Sequence, residues 1–344
     1  MQTILVTGGT GYIGSHTVVE LLLKNYRVIV VDNLSNSTTD SLDGIENICG
    51  KRPLFYQIDC SNTTEMASIF DRHPEIVASI HFAASKAVGE SVEKPLLYYR
   101  NNLVSLINLL ECIRKVGGSL VFSSSCTVYG QPDVLPVTEQ APMKKAESPY
   151  GNTKQIAEDI IVDSVAAYPQ IKAIALRYFN PIGAHPSAEI GELPLGIPNN
   201  LIPFVTQTAY GLRGELKVFG NDYNTPDGTP IRDYINVVDL AKAHVIAVER
   251  LLTNKGKKAV EVFNLGTGTG LSVLDVITAF EKATAVKLPY RIVDRRAGDI
   301  EKVWADTTFA NTELGWCAQE TIEDTMRSAW EWEKKYRARV NITK

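Results

Sequence analysis

Two residues four positions apart, Tyr150 and Lys154, could together move a proton to or from an alcohol. They begin a segment of helical period, and this spacing puts both side chains on one helix face. A free tyrosine has a pKa of about 10, so this pKa must fall before the phenol can act as a base at pH 7. A fall of about three units corresponds to roughly 4 kcal/mol, which one ammonium at ~4 Å supplies at an effective dielectric of about 20. The pair therefore predicts a phenolic base assisted by a lysine.

Three consecutive serines, ending at Ser125, close a predicted strand. The carboxyl ends of strands in a parallel sheet face the crevice where ligands bind, so Ser125 is predicted to meet Tyr150 over one substrate. A serine hydrolase is disfavoured because no G-x-S-x-G elbow and no suitably placed histidine accompany the serines. A second pair of the same spacing, Tyr168 and Lys172, is interrupted by Pro169, so we expect Tyr168 only to pack.

A glycine-rich stretch, Gly9 to Gly14, has G-x-G-x-x-G spacing and opens a helical segment after the first strand. Glycine is needed there because the chain turns tightly and its backbone must approach a pyrophosphate at the helix N-terminus. Asp32, 18 residues beyond Gly14, can accept both ribose hydroxyls and would repel a 2′-phosphate. A P-loop is disfavoured because no Gly-Lys-Ser/Thr follows. The stretch predicts a site for NAD rather than NADP, the alternative being a turn without a ligand.

Short runs rich in valine and isoleucine alternate with segments of helical period, which is typical of an α/β doubly wound parallel sheet of the Rossmann type. The predicted strands are 3–6, 28–31, 76–82, 119–123 and 171–176, and the predicted helices are 17–23, 96–113 and 150–167. Dense proline and glycine after residue 180 favour a second domain. We expect an NAD-binding domain over 1–180 and a smaller mixed α/β substrate domain over 181–344. Within 233–265, a helix over 233–250 and a strand over 260–265 are predicted to interleave with the first domain.

Composition narrows the class of protein. The 344 residues carry 35 Lys and Arg against 39 Asp and Glu, so no broad basic face is available for nucleic acid or an anionic membrane. No apolar run approaches the ~18 residues of a membrane span. The five cysteines and five histidines are scattered without metal-ligand spacing, so we expect reduced thiols, a cytoplasmic location and no metal. A predicted strand directly after Met1 leaves no room for a signal peptide.

These motifs together resemble the extended short-chain dehydrogenase/reductase family, in particular its members that invert C4 of UDP-glucose and UDP-galactose. The resemblance spans essentially the whole chain and is carried by TGGTGYIGSH at 7–16, KAVGES at 86–91, SSSCTVYG at 123–130, RYFNP at 177–181, GIPNN at 196–200 and RDY at 232–234. It implies an NAD-dependent isomerase that works through a transient 4-keto sugar and keeps its NAD bound. It also implies a homodimer, and helices 96–113 and 150–167 carry more apolar surface than one sheet needs.

The resemblance assigns residues to each ligand. Tyr150 is implied as the base, with Ser125 and Lys154 assisting it. The residues implied for NAD are Gly8, Gly11, Tyr12, Ile13, Asp32, Asn33, Asn36, Ser37, Asp59, Cys60, Phe82, Ala83, Lys86, Ser123, Tyr150, Lys154 and Tyr178. Those implied for the UDP-sugar are Ser125, Tyr150, Asn180, Asn200, Leu201, Lys217, Phe219, Arg232, Tyr234, Arg296, Asp299 and Val303. Arg232 and Arg296 suit a diphosphate because guanidinium forks match its oxygens.

The chain departs from the family pattern at Ala84–Ser85, where Gly-Leu is usual, and at Cys126, where alanine is usual. A 4,6-dehydratase needs an acid pair directly after the catalytic hydroxyl, and Cys126 and Thr127 stand there instead. Val303 occupies the position of a bulky tyrosine in members restricted to glucose and galactose, so we expect partial tolerance of UDP-N-acetylhexosamines. A non-catalytic NAD-sensing or scaffold protein is the alternative from another class, and in such a protein Tyr150 would be dispensable.

Overall fold

Strands and helices alternate along residues 1–296 and 299–342, the part of the chain that this computed structural model describes. The strands are β1 (Thr3–Thr7), β2 (Arg27–Asp32), β3 (Leu54–Gln57), β4 (Ile76–His81), β5 (Ser119–Ser125), β6 (Lys172–Tyr178), β7 (Asn180–Ile182), β8 (Leu216–Phe219), β9 (Ile231–Asn236), β10 (Val260–Leu265), β11 (Gly270–Ser272), β12 (Tyr290–Val293) and β13 (Lys302–Val303). The α-helices are α1 (Tyr12–Leu23), α2 (Asp40–Cys49), α3 (Thr63–Arg72), α4 (Val88–Glu93), α5 (Pro95–Val116), α6 (Pro149–Ala167), α7 (Leu201–Ala209), α8 (Val237–Leu252), α9 (Val273–Thr284) and α10 (Ile322–Ile342). Within these two ranges, none of the helices has the length and apolar character to cross a membrane.

The centre of the molecule is a seven-stranded parallel sheet in the order β3-β2-β1-β4-β5-β6-β10. Strand β1 pairs with β2 on one side and with β4 on the other, so the direction of winding changes at β1. In doubly wound sheets, ligands bind at the carboxyl ends of the strands that flank such a change. The predicted doubly wound fold is confirmed, and β10 lies beside β6 in the same sheet.

Each face of this sheet has its own hydrophobic core. Ile4 and Val6 of β1 pack on the side of α1 and α8, whereas Leu5 packs with Leu109 of α5 and Ile161 of α6. Successive residues of a strand point to opposite faces, so a strand that is covered on both faces is apolar throughout. This double burial is the physical reason why the sequence shows uninterrupted apolar runs at these strands.

A smaller mixed α/β part follows β6, as predicted. Strand β9 is central to it and pairs in parallel with β7 and β13 and antiparallel with β11. Strands β8 and β12 form a separate parallel pair. Helices α7, α9 and α10 contribute Ile202, Phe280 and Met326 to the core of this part, where they meet Val218 of β8. This arrangement brings the carboxyl end of β8 and the loops around β9 and β13 into one region.

The helix predicted over 233–250 is wrong at its start. Residues up to Asn236 belong to β9, and α8 begins only at Val237. The side-chain oxygen of Asn236 accepts a hydrogen bond from the backbone N–H of Val238 at 2.7 Å, which caps the helix at that point. The sequence prediction also left β3, α2 and α3 unassigned, since β3 is a short strand at the sheet edge without a buried apolar run.

Candidate active site

The glycine-rich loop joins β1 to α1 at the carboxyl edge of the sheet. Gly8 has a φ of +70°, and a Cβ atom there would lie 2.7 Å from the backbone nitrogen of Ala83. A Cβ atom at Gly14 would lie 2.2 Å from the carbonyl oxygen of Gly8. Helix α1 begins at Tyr12 after Gly11, without a side-chain cap. Its first backbone N–H groups can therefore bind an anion such as a pyrophosphate.

Asp32 ends β2 beside this loop and is nearly buried. Its Oδ2 accepts a hydrogen bond from the backbone N–H of Thr10 at 3.2 Å, and its Oδ1 accepts from the N–H of Leu34 at 2.9 Å and the hydroxyl of Ser37 at 3.1 Å. The carboxylate is thus fixed next to the glycine loop, where a ribose would lie.

The other residues implied for the cofactor follow neighbouring strands. Asn33, Asn36 and Ser37 follow β2, and Asp59 and Cys60 follow β3. Asn33 Nδ2 donates to Asp59 Oδ2 at 3.2 Å, which joins these two loops. The loops that follow β1, β2, β3 and β4 therefore all lie at one edge of the sheet.

The loop after β4 brings Phe82, Ala83 and Lys86 to this edge. Lys86 Nζ lies 3.7 Å from Glu192 Oε1 and 6.0 Å from the ring centre of Tyr12. The Tyr12 hydroxyl, in turn, donates to the carbonyl oxygen of Gly183 at 2.6 Å. The cofactor side and the smaller part of the molecule meet through these contacts.

Tyr150 and Lys154 lie in the first two turns of α6, whose N-terminus is capped by Ser148. Lys154 Nζ donates to the carbonyl oxygen of Ser123 at 2.6 Å and lies 5.9 Å from the ring centre of Tyr150. The second pair behaves as predicted: Tyr168 follows the end of α6 and packs against the core, while Lys172 begins β6. Only the first of the two pairs has the predicted geometry.

The pKa values of the pair reflect the burial of both side chains. Burial raises the pKa of Tyr150 to about 12, and a hydrogen bond with Ser125 lowers it only partly. Burial lowers the pKa of Lys154 to about 8, and the negative charge of Glu158 opposes this. Desolvation of the phenolate is thus the largest effect on Tyr150 in the chain without ligands, and the assistance by Lys154 stays a prediction.

Ser123 and Ser125 stand at the same end of β5. The Ser123 hydroxyl is hydrogen-bonded to the hydroxyl of Tyr178, at the end of β6. Ser125 accepts a hydrogen bond from the backbone N–H of Thr127 at 3.3 Å, and its hydroxyl also meets Tyr150. The residues predicted to act on a substrate hydroxyl are thus brought together.

Apart from Ser125 and Tyr150, the residues implied for the UDP-sugar lie in the smaller part. Arg232 and Tyr234 lie on β9, and Val303 of β13 is the register partner of Arg232. Asp299 Oδ1 lies 2.8 Å from Arg296 Nη2 and 4.0 Å from Arg232 Nη2. Two guanidinium groups therefore share one carboxylate, an arrangement that suits a diphosphate with a ribose beside it.

The remaining predicted substrate residues surround these arginines or lie on the adjoining helix. Phe219 ends β8, with its ring centre 5.8 Å from the Arg296 guanidinium, and Lys217 lies on the same strand. Asn180 begins β7, which pairs with β9 at Tyr234. Asn200 precedes Leu201 at the start of α7, and its Nδ2 donates to Glu192 Oε1 at 2.5 Å.

Known proteins are similar to this chain over nearly its whole length. The family model described as GDP-mannose 4,6 dehydratase matches residues 5–329. The UDP-glucose 4-epimerase of Pasteurella multocida is 50% identical over 97% of this chain and 98% of its own length, and that of Bacillus subtilis is 51% identical over 96% and 97%. The crystal structure of UDP-glucose 4-epimerase from Bifidobacterium longum in complex with NAD+ and UDP superposes with a TM-score of 0.93 at 48% identity, covering 98% of this chain and 99% of that chain. The chain belongs to the UDP-glucose 4-epimerase family.

The departures from the pattern of this epimerase family are accommodated by packing. Cys126 is buried with Val303 and Phe179, and burial raises the pKa of its thiol to about 12, so it is not a nucleophile. Ser85 is held by Asn102, whose Oδ1 accepts from the Ser85 N–H at 2.8 Å and whose Nδ2 donates to the Ser85 carbonyl at 3.0 Å. Both changes therefore leave the neighbouring backbone hydrogen-bonded and packed.

Sequence reasoning about this epimerase family member missed two buried carboxylates. Asp233, between two predicted substrate residues, accepts hydrogen bonds from Thr267 N–H and hydroxyl, Gly268 N–H and Ala305 N–H, at 2.8 to 3.1 Å. Glu158 lies two turns beyond Tyr150 on α6 and is also buried. The detectable signal for Asp233 is its place inside the RDY motif at 232–234, and for Glu158 it is the continuation of the four-residue spacing from Tyr150 and Lys154.

Proposed function

We propose that this protein is an NAD-dependent UDP-glucose 4-epimerase that interconverts UDP-glucose and UDP-galactose in nucleotide-sugar metabolism. The observation that carries the proposal is the meeting of Tyr150, Lys154 and Ser125 at the sheet edge that also bears the glycine loop. Cys126, the residue after Ser125, packs with Val303, and Val303 is the register partner of Arg232, so the arginine side adjoins the strand end that bears the hydroxyl groups. Identity near 50% to epimerases over nearly the whole chain supports the same reaction.

NAD fits the residues present. A side chain at Gly8 would clash with the backbone of Ala83, and one at Gly14 with the carbonyl oxygen of Gly8, so both glycines are needed for the tight turn into α1. The uncapped α1 N-terminus then suits a pyrophosphate. Asp32 holds a ribose and disfavours a 2′-phosphate. The loop residues after β2, β3 and β4, together with Ser123, Lys154 and Tyr178, complete the proposed NAD site. The main sheet thus carries the cofactor, and the smaller part carries the UDP-sugar.

The proposed reaction uses Tyr150 as a reversible proton carrier. NAD, when bound, supplies a two-electron acceptor and donor for C4, so that the sugar passes through a 4-ketone. Tyr150 takes the proton of the 4-hydroxyl as the ketone forms and returns it when the opposite configuration is made, with Ser125 sharing the hydrogen bond. The positive charges of Lys154 and of the nicotinamide ring would together favour the ionised form of the phenol.

Inversion requires that the hexose turn while the nucleotide stays fixed. Arg232, Arg296 and Asp299 bind the UDP end in this proposal, with Phe219 beside the Arg296 guanidinium. Binding energy is then used at the nucleotide rather than at the hexose, which leaves the ketone free to present its other face.

The test is to incubate the purified protein with UDP-galactose without added dinucleotide. UDP-glucose should form, and denaturation of the same sample should release NAD. The proposal would be overturned if no UDP-glucose formed and no dinucleotide was released. The non-catalytic alternative, an NAD-sensing protein, would release NAD without forming UDP-glucose.

UDP-N-acetylhexosamines are proposed as weaker substrates. Val303 is 2% exposed and packs with Cys126 and Phe179, next to the strand that carries Arg232. A valine there leaves more room for an acetamido group than an aromatic ring does. The measurement is turnover of UDP-GlcNAc by the wild type and by Val303→Tyr, with UDP-galactose as the reference. Lack of wild-type turnover, or equal turnover by both proteins, would contradict this role.

A homodimer is proposed through α5 and α6. Leu96 is 81% exposed and Leu97 49% exposed on α5, and Val162 is 50% exposed on α6, the helix that packs beside it. Exposed apolar side chains on two adjacent helices favour burial against an equivalent pair. Light scattering at micromolar concentration should report twice the mass of the chain, and a monomer would exclude the proposal.

The cytoplasm is the proposed location. Cys49, Cys60, Cys112, Cys126 and Cys317 are all free thiols, which suits a reducing compartment. Fractionation of the source cells should find the protein with cytoplasmic markers, and recovery with secreted proteins would contradict this.

A further inference from the structure

The middle serine of the three-serine run has a partner that the proposed reaction does not use. The Ser124 hydroxyl donates to Glu158 Oε1 at 2.5 Å. Ser124 points away from the crevice that Ser123 and Ser125 face, because successive residues of β5 lie on opposite faces. Arg177 of β6 is the register partner of Ser124, and its Nε donates to the same Glu158 oxygen at 2.9 Å.

Glu158 and Arg177 form a buried, two-pronged ion pair. Arg177 Nη2 donates to Glu158 Oε2 at 2.5 Å, in addition to the Nε bond, and the two side chains are 7% and 6% exposed. Arg177 has a further partner, since its Nη1 donates to the Tyr129 hydroxyl at 3.0 Å. A buried ion pair of this kind is costly to desolvate and contributes little to the stability of the fold. We therefore looked to its position for its role.

The position of the pair is next to the proposed proton-transfer group. Tyr150, Lys154 and Glu158 follow one another at intervals of four and share one face of α6. Each of them contacts a different serine of β5: Tyr150 meets the Ser125 hydroxyl, Lys154 the Ser123 carbonyl and Glu158 the Ser124 hydroxyl. A shift of α6 along β5 would break all three contacts together.

We propose that Glu158 is a positioning residue for C4 epimerisation, which fixes α6 on β5 and β6 through Ser124 and Arg177 and keeps Lys154 in its charged form. This inference rests on the proposed function, because it gives Glu158 a role that acts through Lys154. The contacts of Glu158 are with Ser124 and Arg177, and in this proposal it affects the phenol through Lys154.

Charge supports the same role. Lys154 is buried against the Phe122 ring, whose centre lies 4.8 Å from Nζ, and burial lowers the lysine's pKa to about 8. Glu158 is the carboxylate that opposes this fall. Tyr150 on α6 and His81 on β4 also face Lys154. From β6, Arg177 pairs with Glu158, and the Tyr178 hydroxyl bonds to Ser123, whose carbonyl holds Lys154. His81 is neutral near pH 7 because burial, and then the charge of Lys154, lower its pKa to about 3. Removing the Glu158 carboxylate should therefore make Lys154 lose its proton at lower pH.

The experiment compares two buried ion pairs of like geometry. Glu158→Gln alone leaves Arg177 without its counter-ion, so the main variant is Glu158→Gln with Arg177→Met, and Ser124→Ala is the milder change. The control is Glu261→Gln with Arg250→Met, which removes the two-pronged pair between β10 and the end of α8. That pair is also buried but lies at the amino end of β10, away from the serines.

The readouts are bound NAD, KM for UDP-galactose, the pH profile of kcat and an NMR titration of the Lys154 side chain assigned with Lys154→Arg. The Glu158 variant should retain NAD and KM, lose about tenfold in kcat at pH 8 and titrate Lys154 at a pH lower by about one unit. Ser124→Ala should lower kcat and the pH at which Lys154 titrates, but by less than the Glu158 variant does. The control should lose thermal stability but keep the wild-type pH profile.

Two results would overturn the inference. An active wild type and a Glu158 variant with the same kcat and the same Lys154 titration would leave Glu158 with a purely structural role and the proposed function intact. A wild type that does not convert UDP-galactose would overturn the proposed function and, with it, the role of Glu158.

Discussion

The ammonium of Lys154 and the carbonyl oxygen of Ser123 form a hydrogen bond of 2.6 Å that ties the beginning of α6 to the end of β5. The strand therefore orients the lysine, and in the proposed reaction its charge acts on Tyr150 from 5.9 Å to the ring centre. Its usefulness depends on whether it is protonated, which burial makes a function of pH.

Replacing Lys154 by methionine should lower kcat by roughly 10²–10³-fold, because the phenol loses the cation that favours its ionised form. The change keeps an unbranched side chain, shorter by the donor atom itself, and leaves the Ser123 carbonyl without its donor. Lys172→Met, in the second Tyr-x-x-x-Lys pair, is the matched control and should keep wild-type kcat because Lys172 is exposed at the start of β6. The rate of UDP-galactose conversion is measured for both variants. Equal rates for Lys154→Met and Lys172→Met would contradict the role of Lys154.

The activity should decline in alkaline solution. Since burial lowers the pKa of Lys154 to about 8, its positive charge is present below that pH and is lost as the pH rises through it. The ordinary lysine pKa of about 10.4 would put the same loss more than two units higher. A profile of kcat from pH 6 to 10, in which stability is checked at each point, should fall above about pH 8. Constant kcat up to pH 10 would show that the charge of Lys154 is not needed.

Asp233→Asn should weaken the UDP site without touching it directly. The carboxylate accepts from the N–H groups of Thr267, Gly268 and Ala305, and an amide cannot accept from all of them without presenting its own donors. We expect a loss of about 1–3 kcal/mol in the free energy of unfolding and a higher KM for UDP-galactose, because Arg232 adjoins Asp233 on β9. Asp306→Asn, one residue after Ala305, is the control and should leave KM unchanged.

Thermal unfolding and initial rates at several UDP-galactose concentrations separate the two effects. A folded Asp233→Asn with wild-type KM would show that this carboxylate stabilises the loops without fixing the substrate arginine.

Much of the fold could be predicted because local pattern and tertiary burial agree. Strands such as β2 are covered on both faces, so they read as continuous apolar runs, and the capped start of α6 matches the predicted helix. The start of α8 could not be placed in this way, because Asp233 to Asn236 suit either helix or strand until pairing with β7, β11 and β13 decides.

In the candidate site, too, the features set by local spacing could be predicted and those set by tertiary burial could not. Spacing places Tyr150 and Lys154 on one helix face, and the strand end brings Ser125 to them. The pKa of Tyr150 was not predictable, since it depends on how much water the folded chain removes from the phenol. Glu158 escaped notice because its partner Arg177 is distant in sequence and meets it only through the pairing of β5 with β6.

The most direct test of the account is Tyr150→Phe, which removes the phenol's oxygen and keeps its ring. The purified variant should still release NAD on denaturation, because the glycine loop and Asp32 are untouched, and it should convert UDP-galactose to UDP-glucose at least about 10²-fold more slowly than wild type. Conversion at the wild-type rate, with NAD retained, would contradict the assignment of Tyr150 as the proton carrier.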